Sequence, residues 1–222
     1  MKKLKLTLSI FFLCLAIATC KKDKATPATV TDIDGNVYHT VKIGTQTWMV
    51  ENLRTTHYND NTPIENITDN TAWKNSDGPA YSWYNNDITN KTAYGALYNW
   101  EAIYTGKLAP KGWHVPSVAD WEQLINFMGG PTSTAHKLKE VGVTHWPAPN
   151  STANDVYGFT LLPNGSRGAD GVFSLLGFGG YLASSTLFQG SLLTLHVSYD
   201  NDDLELPAYV KNCGFGVRCI KD

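Results

Sequence analysis

Two cysteines near the end of the chain, Cys213 and Cys219, are the first residues whose spacing suggests chemistry. They lie six positions apart in KNCGFGVRCIKD. Such a pair can form a structural disulfide, hold a metal or redox centre, or pack as unrelated core residues. In one extended strand their Cα atoms would be about 20 Å apart, whereas a disulfide tolerates at most about 7 Å. A bridge therefore requires a turn at Gly214 to Gly216.

A group of aspartates, Asp200, Asp202 and Asp203, lies in the segment YDNDDLEL. Oxygen-rich clusters of this type bind Ca²⁺. The segment does not match an EF-hand loop, because the sixth residue from Asp200 is Glu205 and the twelfth is Lys211. The alternative is that Asn and Asp form the turn of a hairpin between LLTLHVSY and LELPAYV. The sequence leaves both interpretations open, and no other cofactor is predicted.

No pattern in the sequence predicts a catalytic centre. The six histidines show no metal-ligand spacing, so a zinc site has no support. A GxSxG nucleophile motif is missing. The segment GSRGADG lacks the Gly and Lys run of a phosphate loop and predicts a turn instead. We therefore name no catalytic residue and expect the protein not to be an enzyme.

Charge and aromatic content narrow the class of ligand. The formal net charge is −2, and no Lys or Arg cluster offers a surface for nucleic acid. The chain is rich in aromatic residues, with seven Trp and eleven Tyr, many of them beside Asn, Gly or Asp. Such rings either fill the core of a loop-rich fold or form a surface that stacks against carbohydrate. Trp73 and Trp83 are the residues that we expect to contact a sugar in the second case.

The beginning of the chain predicts export and lipid attachment. Three lysines precede an apolar run from Leu6 to Ala18, which is typical of a secretory signal and is shorter than the roughly 20 residues of a membrane-spanning helix. The run ends at IATC, which resembles the lipobox of bacterial lipoproteins, whose cysteine is Cys20 here. These features predict a signal peptide at 1–19, a lipidated polar tether at 20–29 and one domain at 30–222.

Helices are predicted in the first half of the domain. Ser117 and Asp120 form a capping box in HVPSVADWEQLINFMGGP, and an apolar stripe from Val118 to Met128 follows before the glycines. A second helix is predicted in YGALYNWEAIYTG and a shorter one around Ala135 to Val141.

Strands are predicted at both ends of the domain. A hairpin is centred on Asp34-Gly35, and a second turn is expected at Gly44 to Gln46. After Asn150, short runs separated by glycines, such as YGFTLLP, GYLASST and GFGVRCI, predict antiparallel strands. The fold class is therefore α+β.

A family resemblance runs in order along nearly the whole domain. The segments TDIDGNVYHTVKIGTQTWMVENL, YGALYNWEAI, GWHVPSVADWEQL, YGFTLLPNGSRG, GYLASST and GFGVRCIKD resemble the Fibrobacter succinogenes major paralogous domain. That domain occurs in secreted and lipid-anchored proteins of Fibrobacter and Bacteroidetes. The resemblance implies a C-type-lectin-like fold with two main helices, mostly antiparallel strands and chain ends that lie together.

The resemblance also implies a location and a function class. The Lys and Asp run after Cys20 resembles the export signals of Bacteroidetes lipoproteins, which implies a lipid anchor in the outer membrane and exposure at the cell surface. We expect a non-catalytic lectin-like binding or adhesion module, with a glycan or an envelope protein as partner. The alternatives are a structural envelope protein without a small ligand, and an enzyme like the formylglycine-generating copper oxidases, which use two nearby cysteines late in the chain.

The resemblance bears on the thiols as well. Many family members have a cysteine just before GWHVP, where this chain has Ala109. Without that partner, Cys219 is either a buried free thiol or the partner of Cys213. Because an exported protein resides in an oxidising compartment that favours pairing, we predict a Cys213–Cys219 disulfide.

Overall fold

The computed structural model describes residues 28–222. The predicted signal peptide, the lipidation site Cys20 and nearly all of the 20–29 tether lie outside the described residues. Within residues 28–222, no helix is both long enough and apolar enough to cross a membrane.

Many short elements alternate along the described chain. The α-helices are Asn70–Lys74 (α1), Lys91–Tyr94 (α2), Trp100–Tyr104 (α3) and Val118–Met128 (α4), and 3₁₀ turns lie at Tyr84–Asn86, Ile88–Asn90 and Ala135–Lys137. The strands are Thr29–Thr31 (β1), Val37–Ile43 (β2), Gln46–Met49 (β3), Glu65–Asn66 (β4), Ala80–Ser82 (β5), Leu97–Tyr98 (β6), Trp113–His114 (β7), Asn164–Arg167 (β8), Phe173–Leu176 (β9), Gly179–Phe188 (β10), Ser191–Ser198 (β11), Ala208–Tyr209 (β12) and Ile220–Lys221 (β13). The α+β class predicted from the sequence agrees with this mixture.

The largest sheet joins the two ends of the domain. Its order is β1-β2-β3-β13-β7, and every neighbouring pair is antiparallel. Ile220 of the last strand lies opposite Trp48 on one side and His114 on the other. The predicted Asp34-Gly35 hairpin connects β1 to β2, and Gly35 takes the positive φ of 80° that this turn requires. The second predicted turn, at Gly44 and Thr45, connects β2 to β3.

Three smaller sheets complete the strand structure of the described residues. They are β10-β11-β12, β4-β5-β6 and the β8-β9 hairpin, and the β4–β5 pair is parallel. The predicted YGFTLLP strand is reduced to one bridge between Leu161 and Lys139. The turn predicted at GSRGADG is partly wrong, because its first residues up to Arg167 belong to β8 and only the remainder turns.

Helix α4 is the element that the sequence predicted best. Its bounds match the apolar stripe, Ser117 and Asp120 form the capping box, and Gly129 ends the helix in the left-handed region. The other predicted helices are shorter than expected. Leu97 and Tyr98 form β6 instead of helix, and the helix expected from Ala135 is a single 3₁₀ turn.

The stack of Trp121 from α4 on Trp48 from β3 lies at the centre of one core cluster. The two ring centroids are 4.6 Å apart with planes inclined by 22°, and Phe159 meets Trp48 edge-on at 5.8 Å. Leu182 and Leu195 of the β10–β11 hairpin pack in the same cluster. The cluster therefore attaches the long hairpin and the helix to the large sheet.

Two guanidinium groups are buried among backbone carbonyls. Arg218 donates from Nε and Nη2 to Oδ1 of Asn52 at 3.1 and 2.9 Å, and from Nη1 to the carbonyl of Phe159. Arg167 donates to the carbonyls of Gly171, Ile67, Thr68 and Asp69. Burial lowers the pKa of Arg218 to about 9 and that of Arg167 to about 10.

We predict that Trp121→Ala lowers the free energy of unfolding by about 3–5 kcal/mol, because it removes the ring that stacks on Trp48 and leaves a core cavity. Urea unfolding followed by circular dichroism measures the loss. The matched control is Phe127→Ala on the same helix, whose side chain is half exposed and should cost less than half as much. Equal losses for the two variants would contradict the central role of the stack.

We also predict that the β1–β2 turn is sensitive to acid. Asp34 accepts hydrogen bonds from Thr56 N at 2.6 Å and from Thr56 Oγ1 at 2.9 Å, and its Oδ1 lies 2.6 Å from His57 Nδ1. Partial burial acts to raise the pKa of Asp34, but these contacts outweigh burial and hold the pKa below 3.8. A carboxylate with a lowered pKa stabilises the folded state above its unfolded-state pKa, and this stability disappears as the pH falls through the folded-state pKa.

Asp34→Asn should therefore be less stable than the wild type at pH 7, by about 1 kcal/mol, and the difference should shrink below about pH 4. Urea midpoints recorded as a function of pH measure this difference. Asp77→Asn, at an exposed aspartate, is the control and should match the wild type throughout. A difference that does not change with pH would show that the ionised carboxylate is not the source.

Candidate functional site

A polar cavity of about 270 Å³ lies between three stretches of chain. Lys139, from the stretch after the 3₁₀ turn at Ala135–Lys137, forms its inner wall. The remaining lining residues come from the 149–152 loop and from the segment that leaves β11, and they are Pro149, Ser151, Thr152, Tyr199, Asp200, Asn201 and Asp202. We refer to this cavity as the Lys139 cavity.

Lys139 fixes one wall of the cavity. Its side chain is nearly inaccessible, and Nζ donates to the carbonyl of Asn201 at 2.7 Å and to Oδ1 of Asp202 at 3.3 Å. The Trp146 ring lies 5.3 Å from the same nitrogen. Burial lowers the pKa of Lys139, although the neighbouring Asp202 and Asp200 oppose the effect. The ammonium group thus orders the 200–202 segment and leaves that segment's polar groups facing the cavity.

The lining residues can bind a ligand that carries many hydroxyl groups. Ser151 and Thr152 are exposed and each supplies a hydroxyl that both donates and accepts. The carboxylates of Asp200 and Asp202 supply acceptors, and the Tyr199 ring supplies an apolar surface at the rim. Two carboxylates against one ammonium make the cavity slightly acidic, which disfavours an anionic ligand.

The three aspartates predicted to bind Ca²⁺ do not converge. Asp200 and Asp202 line the cavity, whereas Oδ1 of Asp203 accepts from Ser133 N at 2.8 Å. Asp200 itself accepts from the Ser198 hydroxyl. Among residues 28–222, no group of three or more His, Cys, Asp and Glu side chains is arranged to hold a metal ion. The hairpin-turn interpretation therefore describes this segment better than a Ca²⁺ loop does.

Trp73 and Trp83, predicted to contact a ligand, are core residues, and that prediction is wrong. Their exposed fractions are 2% and 5%. The Arg167 guanidinium covers the Trp73 ring at 4.2 Å, and Trp73 Nε1 donates to the carbonyl of Asn212 at 2.8 Å. Trp83 meets Tyr81 edge-on at 5.3 Å inside the larger core cluster. Neither ring has a free face for a sugar.

The predicted disulfide between Cys213 and Cys219 is not formed, and both residues are free cysteines. The turn that a bridge requires is replaced by extended backbone, in which Gly214 pairs with Arg167, Phe215 with Tyr98 and Gly216 with Leu182. Burial raises the pKa of both thiols. The copper-oxidase alternative was based on the same two thiols, which the extended backbone keeps apart.

Two exposed rings beside the cavity were missed by the sequence analysis. Phe178 and Tyr199 meet edge-to-face with centroids 5.2 Å apart, where β10 begins and β11 ends. The sequence places Phe178 between two glycines, which indicates a turn. Turns lie at the surface, so a large apolar side chain there is expected to be exposed. The aromatic content of the sequence does not show that Phe178 is exposed while Trp73 and Trp83 are buried.

Further cavities in residues 28–222 include the two described next. One of about 240 Å³ lies at Thr31 to Ile33 beside Lys111. The other, of about 400 Å³, is apolar and lies between α4 and the segment at Leu204 to Leu206. Neither combines charged groups, hydroxyls and an exposed ring as the Lys139 cavity does.

Comparison with known proteins identifies a family for this chain. A family model described as the Fibrobacter succinogenes major domain matches residues 41–221. No curated protein and no solved structure matches the chain. The matched range includes the Lys139 cavity, the Phe178–Tyr199 pair and both free cysteines.

The state of the thiols leads to a direct prediction. We expect both cysteines to react with iodoacetamide when the protein is unfolded without reductant, because the extended backbone keeps them apart in the fold. Trypsin cleaves after Lys211, Arg218 and Lys221, so each cysteine falls in its own peptide for mass spectrometry. A sample reduced beforehand is the control and should show the same labelling. Recovery of the two peptides joined and unlabelled would contradict the structure.

Proposed function

This chain belongs to the Fibrobacter succinogenes major domain family, and from that premise we propose that it is a lipid-anchored protein of the outer membrane whose domain binds carbohydrate without catalysing a reaction. The signal-like start of the chain and the lipobox-like IATC ending at Cys20 support the anchor. The Lys and Asp run that follows supports exposure at the cell surface. The polar tether separates the domain from the lipid.

A C-type-lectin-like fold is part of this proposal. The support is the combination of short helices, mostly antiparallel strands and one sheet that contains both the first strand of the domain and the last. In such an arrangement the sheet formed by the chain ends is a rigid base, and long loops on the far side are free to carry a ligand site.

The observation that supports carbohydrate is the composition of the Lys139 cavity. Hydroxyls, carboxylates and an amide converge on a space bordered by a half-exposed tyrosine ring. A sugar likewise combines polar and apolar surfaces, since hydroxyls project from its edges and C–H groups form its faces. The hydroxyls can exchange hydrogen bonds with Thr152, Asp202 and their neighbours, while a C–H face packs on Tyr199.

Binding is proposed to need no metal ion. The aspartates that would be expected to hold Ca²⁺ are occupied by Lys139, Ser198 and Ser133. In this site Asp200 and Asp202 serve as direct hydrogen-bond acceptors. Removal of divalent ions with a chelator should therefore leave the affinity unchanged.

The experiment is calorimetric titration of the full-length protein in detergent with neutral sugars selected on a glycan array. We expect Tyr199→Ala to weaken binding about tenfold, because it removes the apolar surface at the rim. Asp202→Asn should weaken binding severalfold by removing a charged acceptor. Tyr104→Ala, at a more exposed tyrosine outside the cavity, is the matched control and should bind as the wild type does.

Two outcomes would contradict the proposal. Absence of saturable binding across the array would favour a structural envelope protein without a small ligand. Binding that persists unchanged in Tyr199→Ala and Asp202→Asn would place the sugar elsewhere on the domain.

A further inference from the structure

The two rings beside the Lys139 cavity form a cross-strand pair. The amide of Tyr199 donates to the carbonyl of Phe178 at 2.9 Å, so the backbone fixes their relative position. Their planes are inclined by 86°, with the centroids 5.2 Å apart. Tyr199 also lines the cavity, and the Phe178 ring contacts Tyr199 without itself lining the cavity.

Both rings remain accessible to solvent. Phe178 is 47% exposed and Tyr199 is 37% exposed, and the neighbouring Leu175 is exposed to a similar extent. Burial of large apolar side chains is the main gain of folding. The exposed part of the Phe178 ring is not used by the fold, so it is an apolar surface available to a ligand.

The size of this surface argues for a small ligand. Two rings at these exposures present on the order of 150–200 Å² to solvent. A stable protein–protein interface buries roughly 800 Å² on each partner. Taken alone, the two rings are thus too small to hold a folded protein, and their size matches the flat face of a sugar ring.

The size of the cavity argues that the ligand extends beyond it. At about 270 Å³ the Lys139 cavity is at or below the lower limit of roughly 300 Å³ typical of pockets that enclose a whole organic ligand. A single sugar unit can occupy such a space, whereas a second unit has to lie outside. The only side of the rim with exposed aromatic surface among the lining residues is that of Tyr199, which leads to Phe178.

We propose that Phe178, together with Tyr199, forms a second sugar subsite that continues the Lys139 cavity, so that the ligand class is a neutral oligosaccharide of at least two units. This inference rests on the proposed function, because it assigns the first unit to the cavity. The cavity supplies hydrogen bonds to the terminal unit, and the Phe178 ring packs on the C–H face of the next unit.

The test measures affinity against chain length. Ladders of one to several linked glucose, xylose, mannose or N-acetylglucosamine units are titrated into the full-length protein in detergent. For a ladder whose monosaccharide binds, we expect the affinity to rise about tenfold when the second or third unit is added. Phe178→Ala should abolish this rise and leave the monosaccharide affinity within about twofold of the wild type.

Two further variants define the role of the ring. Phe188→Ala is the matched control, because Phe188 is exposed to a similar extent but lies at the end of β10 that is remote from Phe178. It should retain the full dependence on chain length. Phe178→Leu keeps an apolar side chain without a ring face, so it should lose most of the gain if stacking is the source. Circular dichroism and the thermal midpoint of each variant verify the fold.

The outcomes separate this inference from the proposed function. If a monosaccharide binds and longer chains gain nothing, or if the gain survives in Phe178→Ala, the second subsite is wrong and the cavity assignment stands. If no sugar of any length binds, the proposed function fails and the second subsite fails with it. A length-dependent gain that Phe178→Ala abolishes and Phe188→Ala preserves supports the inference.

Discussion

The rest of the fold depends on the extended course of the terminal segment, residues 213–221. Its backbone pairs in turn with Arg167, Tyr98, Leu182, Leu53 and β3 before it enters the large sheet between β3 and β7. Each pairing joins a region that is distant in sequence, so the last residues of the chain connect all four sheets. The two glycines of the segment permit this close approach. A Cβ on Gly214 would lie 2.8 Å from the Trp73 ring, and one on Gly216 would lie 2.8 Å from the Asn164 side chain. The same extended course keeps the two thiols apart.

Buried cations stabilise the loops by donating hydrogen bonds to backbone carbonyls that have no partner in a sheet or helix. A chain with so many short elements has numerous carbonyls that no strand or helix can satisfy. Arg167 donates to four such carbonyls, Arg218 to those of Phe159 and Thr160, and Lys139 to that of Asn201. Aromatic rings cover each cation, with Trp73 and Phe173 on Arg167 and Phe159 on Arg218. Charge-assisted hydrogen bonds and ring contacts together offset the cost of burying a charge. Aromatic residues such as Trp73 and Phe159 therefore contact buried cations instead of forming a ligand surface.

The Lys139 cavity results from the same principle. Lys139 binds the 200–202 segment through the carbonyl of Asn201. Phe178 and Tyr199 lie at one end of the β10–β11 hairpin. The aspartates thereby have separate hydrogen-bond partners, and Asp200 and Asp202 line the cavity. The proposed sugar site thus depends on a buried amine and on the antiparallel pairing of β10 with β11.

The sequence by itself determined the family, the α+β class, the Asp34-Gly35 hairpin and helix α4, because each depends on residues close together in the chain. A capping box, a glycine stop and a two-residue turn act over a few positions. The sequence also placed Asp200 and Asp202 in one polar segment. Only the tertiary structure decided that Trp73 and Trp83 are buried, that Cys213 and Cys219 lie apart, and that Phe178 is exposed next to Tyr199. Burial and proximity depend on pairings between residues far apart in sequence, such as Gly214 with Arg167. A local sequence pattern does not predict which distant strand will pack against a given aromatic ring.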